Sequence, residues 1–194
     1  MTSFYNEQEL FELGFKSIGK NVLLSKKASI YGVSRISIGS NVRIDDFCVL
    51  SAGSGGIEIG NYVHIAVFAS LMGEGKIVLD DFSGISSRVA IYSSNDDYSG
   101  LFMTNPTVPS YLTNVKHADV NVGKHVIIGS GSIILPGVCL GIGVAVGALS
   151  LVHKNCKPFT IYSGNPVKIL GPRSEKLLEL EMKLIGNFNN TPND

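Results

Sequence analysis

The chain has no tryptophan, and only 16% of its 194 residues are charged, against about 25% in an average globular protein. Sixteen basic residues are balanced by sixteen acidic ones. No net charge draws the chain toward nucleic acid, and no such partner is expected. Cysteine is scarce: Cys48, Cys139 and Cys156 are odd in number, scattered, and form no C-x-x-C pair. That pattern argues against a zinc ribbon or a redox motif, and small buried thiols in a reducing compartment are expected. Met1–Lys20 carries acids and lacks an apolar core, so it does not read as a signal peptide. A cytoplasmic location is the expectation. One uncharged run, Val126–Val152, is long enough to span a bilayer. Six glycines, Pro136 and three serines interrupt it, and no integral membrane segment is expected.

What the chain does have is glycine, 22 residues of it, where average usage gives about 14. It also has a strict period. Steps of six from Val122 land on Ile128, Ile134, Leu140, Val146 and Val152. Upstream the same frame returns in threes: Ile18, Leu24, Ile30; Ile38, Ile44, Leu50; Ile59, Ile65, Leu71; Leu79, Ile85, Ile91. The step between groups is longer, so three hexads form one unit.

A period of six is three alternations of a strand, followed by a corner. One aliphatic per hexad points inward, and three faces close a triangular coil. Six coils stacked about 4.8 Å apart give a prism about 29 Å long. Glycine follows many of the aliphatics, where the chain is expected to bend tightly. The expected fold is therefore all-β, a parallel β-helix of about six triangular coils.

Between Ile91 and Val122 the frame admits about 25 extra residues, rich in Tyr, Phe and Pro. A loop this long in a compact domain usually carries function. The ends are helical. Asn6 and Glu9 form a capping box, Tyr5 and Leu10 a staple, and Gly14 a stop. Ser174 caps a second helix bearing Leu177, Leu178, Leu180 and Leu184. The polar residues Asn187–Asp194 are expected to be loose. The expected organisation is one domain, 1–194: helix and entry over 1–17, β-helix over 18–157 with a protruding loop at 93–119, tail and C-terminal helix over 158–194.

The hexads, and HVIIGSGSIILPGV (His125–Val138) followed by GALSLV and YSGNPVKILG (Tyr162–Gly171), resemble the hexapeptide-repeat acyltransferases. The start, SFYNEQEL and then GKNVLLSKKASIY, is most similar to the bacterial nucleotide-sugar N-acetyltransferases among them. The resemblance implies a left-handed winding and a homotrimer with its sites between subunits. It implies acetyl-CoA as donor, no metal, and a dTDP- or UDP-linked amino-deoxysugar as acceptor, for O-antigen or another surface glycan.

On that resemblance the pantetheine arm runs along the last coils. Gly129, Ser130, Gly147 and Ala148 lack bulk and let backbone amides approach it. An amide near Ser130 or Ala148 is placed to hold the thioester oxyanion. Lys154, Lys168 and Arg173 are expected at the phosphates, and Asn165 and Pro166 at a turn under the adenine. For the acceptor, Asp96 and Asp97 stand at a strand–loop junction, where one carboxylate can orient an amine or take its proton. Asn95, Tyr98 and Asn105 are expected to bind the sugar. His64 and His125 are candidate bases.

The stretch Tyr92–Asp97 holds no histidine, where many O-acetyltransferases of this family carry one to activate a hydroxyl. A neutral amine is already nucleophilic, which favours N-acetylation. The alternatives are a sugar O-acetyltransferase using His64 or His125, and a γ-carbonic anhydrase-like metalloenzyme with His64, His117 and His125 around zinc. Further alternatives are an ice-binding or scaffold β-helix, although no threonine ladder is present.

Overall fold

The computed structural model describes residues 3–188. Three parallel sheets wrap one core. The first face is built from Ser17–Ile18, Ile36–Ile38, Ile57–Ile59, Ile77–Leu79, Val120–Val122 and Cys139–Leu140. The second runs from Leu23–Leu24 through Arg43–Ile44, His64–Ile65, Gly84–Ile85, Ile127–Ile128 and Ala145–Val146 to Thr160–Ser163. The third holds Ser29–Tyr31, Val49–Ala52, Ser70–Gly73, Ala90–Tyr92, Ile133–Ile134 and Leu151–Val152. Six coils are complete. A seventh begins with Cys156, bridged to Leu140, and with Thr160–Ser163, parallel to Ala145–Val146. That extra rung lies in the stretch the hexad frame assigns to the tail. Tyr162 takes the core position there and is 3% exposed.

The inward hexad residues stack as expected. From Ile18 to Val152, sixteen of the eighteen are buried; Ile18 and Ile30, on the first coil, are half-buried because no coil covers that end. A second inward column stands two residues earlier on the second face: Val22, Val42, Val63, Ser83, Val126 and Val144.

The corners work differently from the sequence expectation. Gly39, Gly60, Gly123 and Gly129, which follow core aliphatics, do not adopt positive φ. Each is glycine because a side chain would strike the next coil: a Cβ on Gly39 would stand 2.6 Å from the Gly60 carbonyl oxygen. The left-handed turns fall two residues later, often on large side chains. One corner carries Asn21, Asn41, Tyr62, Phe82 and His125; another carries Phe47, Phe68, Arg88 and Leu149, all with positive φ. The left-handed turn aims each amide at the preceding coil, as in Tyr62 N–H to Ser40 O at 2.9 Å and Phe82 N–H to Asn61 O at 2.9 Å. The cost for an L-residue there is about 1–2 kcal/mol. Ring stacking offsets part of it: Tyr62 on Phe82 at 4.8 Å, Phe82 on His125 at 4.9 Å, Phe47 on Phe68 at 5.1 Å.

Helix α1 (Glu7–Glu12) has the expected capping box: the Asn6 side chain accepts from the Glu9 amide at 2.9 Å, and Glu9 accepts from the Asn6 amide at 2.8 Å. Helix α2 spans Lys176–Phe188. Ser174 Oγ accepts from the Lys176 amide at 3.3 Å. Leu180 and Leu184 remain exposed. Of the polar tail expected over Asn187–Asp194, residues 189–194 lie outside the described residues, and Asn187 and Phe188 belong to α2. Among the described residues no helix is long and apolar enough to cross a membrane. The uncharged run Val126–Val152 forms short strands on all three faces. Cys48 and Cys156 are buried, and burial pushes each thiol up to about 11; Cys139 is exposed, against the expectation, because it points outward from the first face.

Candidate active site

The outward column of the second face reads Leu23, Arg43, His64, Gly84, Ile127, Ala145, Ile161. Gly84 removes one side chain from it. A groove of about 270 Å³ opens there, lined by His64, Gly84, Ser86, Ser87, Ile127 and Ser130 among others. His64 Nε2 lies 2.8 Å from Asp45 Oδ2, and Arg43 Nε donates to the same carboxylate at 2.7 Å. Burial works to raise the Asp45 pKa, but the hydrogen bonds from His64 and Arg43 outweigh it and hold the carboxyl below its usual range. His64 is thus the candidate base that the fold places in a groove and orients. Ser86 and Ser87 were not singled out from the sequence; their position on the corner after Ile85, one coil below Ser130, is the signal that finds them.

The four residues predicted to admit the donor, Gly129, Ser130, Gly147 and Ala148, divide. The amides of Gly129 and Gly147 are spent on the carbonyls of Val146 and Tyr162, both at 2.8 Å. Their missing side chains make room for the next coil: a Cβ on Gly129 would meet Ala148 N at 2.5 Å. By contrast, the amides of Ser87, Ser130 and Ala148 have no hydrogen-bond partner among the described residues. They form a column up one corner of coils four, five and six. Unpartnered N–H groups at an open edge can receive a carbonyl or an oxyanion.

Beyond them, Lys154 and Lys168 converge as expected, in a pocket of about 400 Å³ with Asn155, Lys157, Tyr162, Val167 and Ile169. Lys157 is an addition. Arg173 is anchored through one nitrogen: its Nη1 donates to the carbonyls of His125, Gly143 and Val144 at 2.8, 3.1 and 3.0 Å. Burial lowers its pKa. Asn165 and Pro166, joined by a cis peptide bond, make the turn between Thr160–Ser163 and Lys168–Pro172.

His125, the other candidate base, has a structural task. Its ring stacks on Phe82, and its Nε2 lies 2.7 Å from Glu181 Oε2 of helix α2. Lys124 bonds the other oxygen of that carboxylate. The His125 side chain is 10% exposed.

The long loop leaves the corner between the third and first faces. Ser94–Asn95 pairs antiparallel with Lys116–His117 at its base. Asn95 and Asp96 are half-buried, and Tyr98 is 85% exposed. Asp97 Oδ1 accepts from Ser99 N at 2.9 Å and Ser99 Oγ at 2.5 Å, and its Oδ2 accepts from Asn114 at 3.4 Å. The Ser99 hydroxyl bond, above all, lowers its pKa. Asp96 has no such partner among the described residues. Asn105 closes a turn of its own by accepting from Thr107 N at 3.0 Å. Asp96 does not line the groove; along the chain the third-face strand Ala90–Tyr92 lies between it and the groove's Ser86 and Ser87. His117 bonds Ser94 Oγ at 2.8 Å. His64, His117 and His125 therefore have three separate partners, and among the described residues no group of three His, Cys, Asp or Glu is placed to hold a metal.

A prism of hexad coils with a free-amide column, a lysine cluster at its end and one long inserted loop has the build of a CoA-dependent acyltransferase. No family model matches the chain. Its relatives are more specific. The dTDP-4-amino-4,6-dideoxy-D-glucose acyltransferase of Escherichia coli is 58% identical over 179 residues, 92% of this chain and 93% of that protein. AntD, an N-acyltransferase from Bacillus cereus, was crystallised with dTDP and coenzyme A as an aspartate-to-alanine variant; it is 49% identical, with a TM-score of 0.92 over 96% of this chain and all of that one. The putative lipopolysaccharide biosynthesis O-acetyl transferase WbbJ of Escherichia coli K12 is 30% identical over 122 residues, 60% of this chain and 58% of that one. The chain belongs to the hexapeptide-repeat acyltransferases of nucleotide-linked amino sugars.

Proposed function

We propose that the protein transfers the acetyl group of acetyl-CoA to the 4-amino group of a dTDP-linked 4-amino-4,6-dideoxyhexose, in the synthesis of a surface glycan such as an O-antigen. One observation carries the reading: the column of unpartnered amides at Ser130 and Ala148 leads from the groove toward the Lys154, Lys157 and Lys168 cluster. A CoA thioester fits that track, with its phosphates at the lysines and its carbonyl oxygen at Ser130. The relatives support the acceptor. The Escherichia coli acyltransferase acts on dTDP-4-amino-4,6-dideoxy-D-glucose, and AntD has been crystallised with that sugar nucleotide and coenzyme A.

The neutral amine bonds to the thioester carbon, and the Ser130 amide receives the developing oxyanion. The C–S bond then breaks, and the amine's proton leaves with the thiolate as CoA thiol. Asp96, with its uncommitted carboxylate, holds the amine in line, while Asp97 shapes the loop through Ser99. In AntD the substituted aspartate and serine stand ten residues apart. Two pairs here share that spacing, Ser86 with Asp96 and Ser87 with Asp97, and both serines line the groove.

Because Ala90–Tyr92 separates Asp96 from the groove, a working site combines the loop of one protomer with the groove of another. The exposed Tyr98, Leu101, Met103 and Tyr111 suit burial against that neighbour, and a homotrimer is the closed assembly inferred.

The test is thiol release from acetyl-CoA with amino-sugar nucleotides and their hydroxyl analogues. Release with the amino sugar alone is expected. Asp96→Asn should lower kcat/KM about a hundredfold, whereas Asp97→Asn should act mainly on loop stability. Equal, near-wild-type rates for both variants would remove the aspartates from the mechanism. A second reading, transfer to a hydroxyl, rests on the His64–Asp45 pair in the groove, since an imidazole oriented by a carboxylate is how a base for a hydroxyl is built. Release with the hydroxyl analogue alone, lost in His64→Asn, would establish it instead.

A further inference from the structure

The long loop is rooted in a turn of the prism. Residues Gly73–Lys76 join coils three and four, and both ends of the loop bond to them. Ser93 Oγ donates to the Gly75 carbonyl at 2.7 Å, and the Lys76 amide donates to Asp119 Oδ1 at 2.8 Å. One residue further out, Ser94 Oγ accepts from the Glu74 amide at 2.7 Å. That bond takes one lone pair and leaves the hydroxyl proton free to donate. His117 Nδ1, on the returning strand, stands 2.8 Å from the same oxygen. The Glu74 carboxylate is engaged elsewhere, by the Ser54 amide at 3.0 Å. Among the described residues the histidines paired with acids are His64 and His125. Ser94 and His117 therefore lack the acid that would make them a nucleophile and its base.

Their place in the loop gives them another task. Ser94 lies opposite His117, and Asn95 opposite Lys116. Beyond these, Asn114 Nδ2 donates to Asp97 Oδ2 at 3.4 Å. Asp96 thus stands between two cross-links of the loop's strands, and Ser94–His117 is the shorter. We propose that His117 is a positioning residue for acyl transfer: through Ser94 it locks the returning strand to the Glu74 turn and holds the Asp96 carboxylate in line with the acceptor amine. The inference rests on the role given to Asp96 above. A group carried on a loop needs such support, because a shift of about 1 Å costs up to about a hundredfold in rate.

The test is steady-state kinetics of His117→Ala, His117→Asn and Ser94→Ala, with folding checked by circular dichroism. An asparagine amide reaches the place of Nδ1 and can bond Ser94 without the ring. His117→Ala is expected to lower kcat about tenfold and to leave KM for acetyl-CoA unchanged, since the donor track lies on another corner. His117→Asn should recover most of the loss. Ser94→Ala should match His117→Ala, and the double variant should be no slower than either, because both act through one bond. Should Ser94→Ala fail to fold, the two His117 variants decide alone. Wild-type kcat in His117→Ala, or an asparagine no better than alanine, overturns the inference while the transferase reading stands. If no amino sugar supports thiol release, amide hydrogen exchange over Ser94–Asn95 and Lys116–His117 separates the questions. Exchange that quickens in His117→Ala and returns in His117→Asn keeps the clasp, and equal exchange in all three proteins overturns it.

Discussion

At Gly39 an added methyl would stand 2.6 Å from the Gly60 carbonyl oxygen, and backbone there cannot yield without opening the ladder between two coils. At Gly171, which has ordinary φ and nothing within 4 Å, the same methyl meets no obstacle. Gly39→Ala is therefore expected to lower the melting temperature by several degrees and Gly171→Ala to leave it within about a degree. Thermal unfolding of the two variants checks this. A different defect sits at Ser83. Its hydroxyl is buried with no hydrogen-bond partner among the described residues, in a column whose other members are valines. Unpaired burial of such a group costs about 1–3 kcal/mol. Ser83→Val should remove that cost and raise the melting temperature by about 2–4 °C per kcal/mol at this chain length. A lower melting temperature would mean that the extra methyl overpacks the corner.

A carboxylate ties helix α2 to the prism. Glu181 accepts from Lys124 and His125, and the His125 ring is itself stacked on Phe82. Burial works to raise the Glu181 pKa, but the two hydrogen-bonded partners prevail, and the carboxyl lies below its ordinary value of 4.5. A group depressed in this way contributes stability that is full above 4.5 and is lost as the pH falls through its folded value. Glu181→Gln should therefore melt lower than wild type at pH 7, and the gap should close below pH 4.5. A gap that persists at pH 3 would assign the loss to packing. The long loop shows the same economy at its base: two short strands and the Asp97–Ser99–Asn114 bonds fix its ends, leaving its aromatic residues turned outward.

Across the whole molecule, the decisive fact is a separation. Asp96 leaves one corner and the serine-lined groove opens at another, with Ala90–Tyr92 between them. If each working site joins two protomers, two defective chains can restore each other. Asp96→Asn and a groove-filling Ser130→Tyr should each be nearly inactive alone. Co-expressed and randomly mixed, they should regain about a quarter of wild-type activity, since that share of interfaces pairs an intact loop with an intact groove. Light scattering at a trimer mass should accompany it. Recovery near zero, with trimers present, would place both halves of the site on one chain.

The hexad period determined the coils, their number to within the partial seventh, the buried aliphatic columns and the position of the loop, because each coil of stacked parallel strands must return an inward aliphatic to the same place on the same face. The capping box at Asn6 was equally legible, being local. The resemblance of the later hexads implied where the donor end lies. What the period did not carry was the fate of individual polar groups. His125 and Arg173 look like site residues in sequence, yet helix α2 and the corner carbonyls engage them from up to 56 residues away. Ser86 and Ser87 look like ordinary corner residues, yet the missing side chain at Gly84 and the free amide at Ser130 make their corner a groove. A hydrogen-bond partner, or its absence, is settled by which coils and helices come to lie side by side, and that is a property of the folded chain.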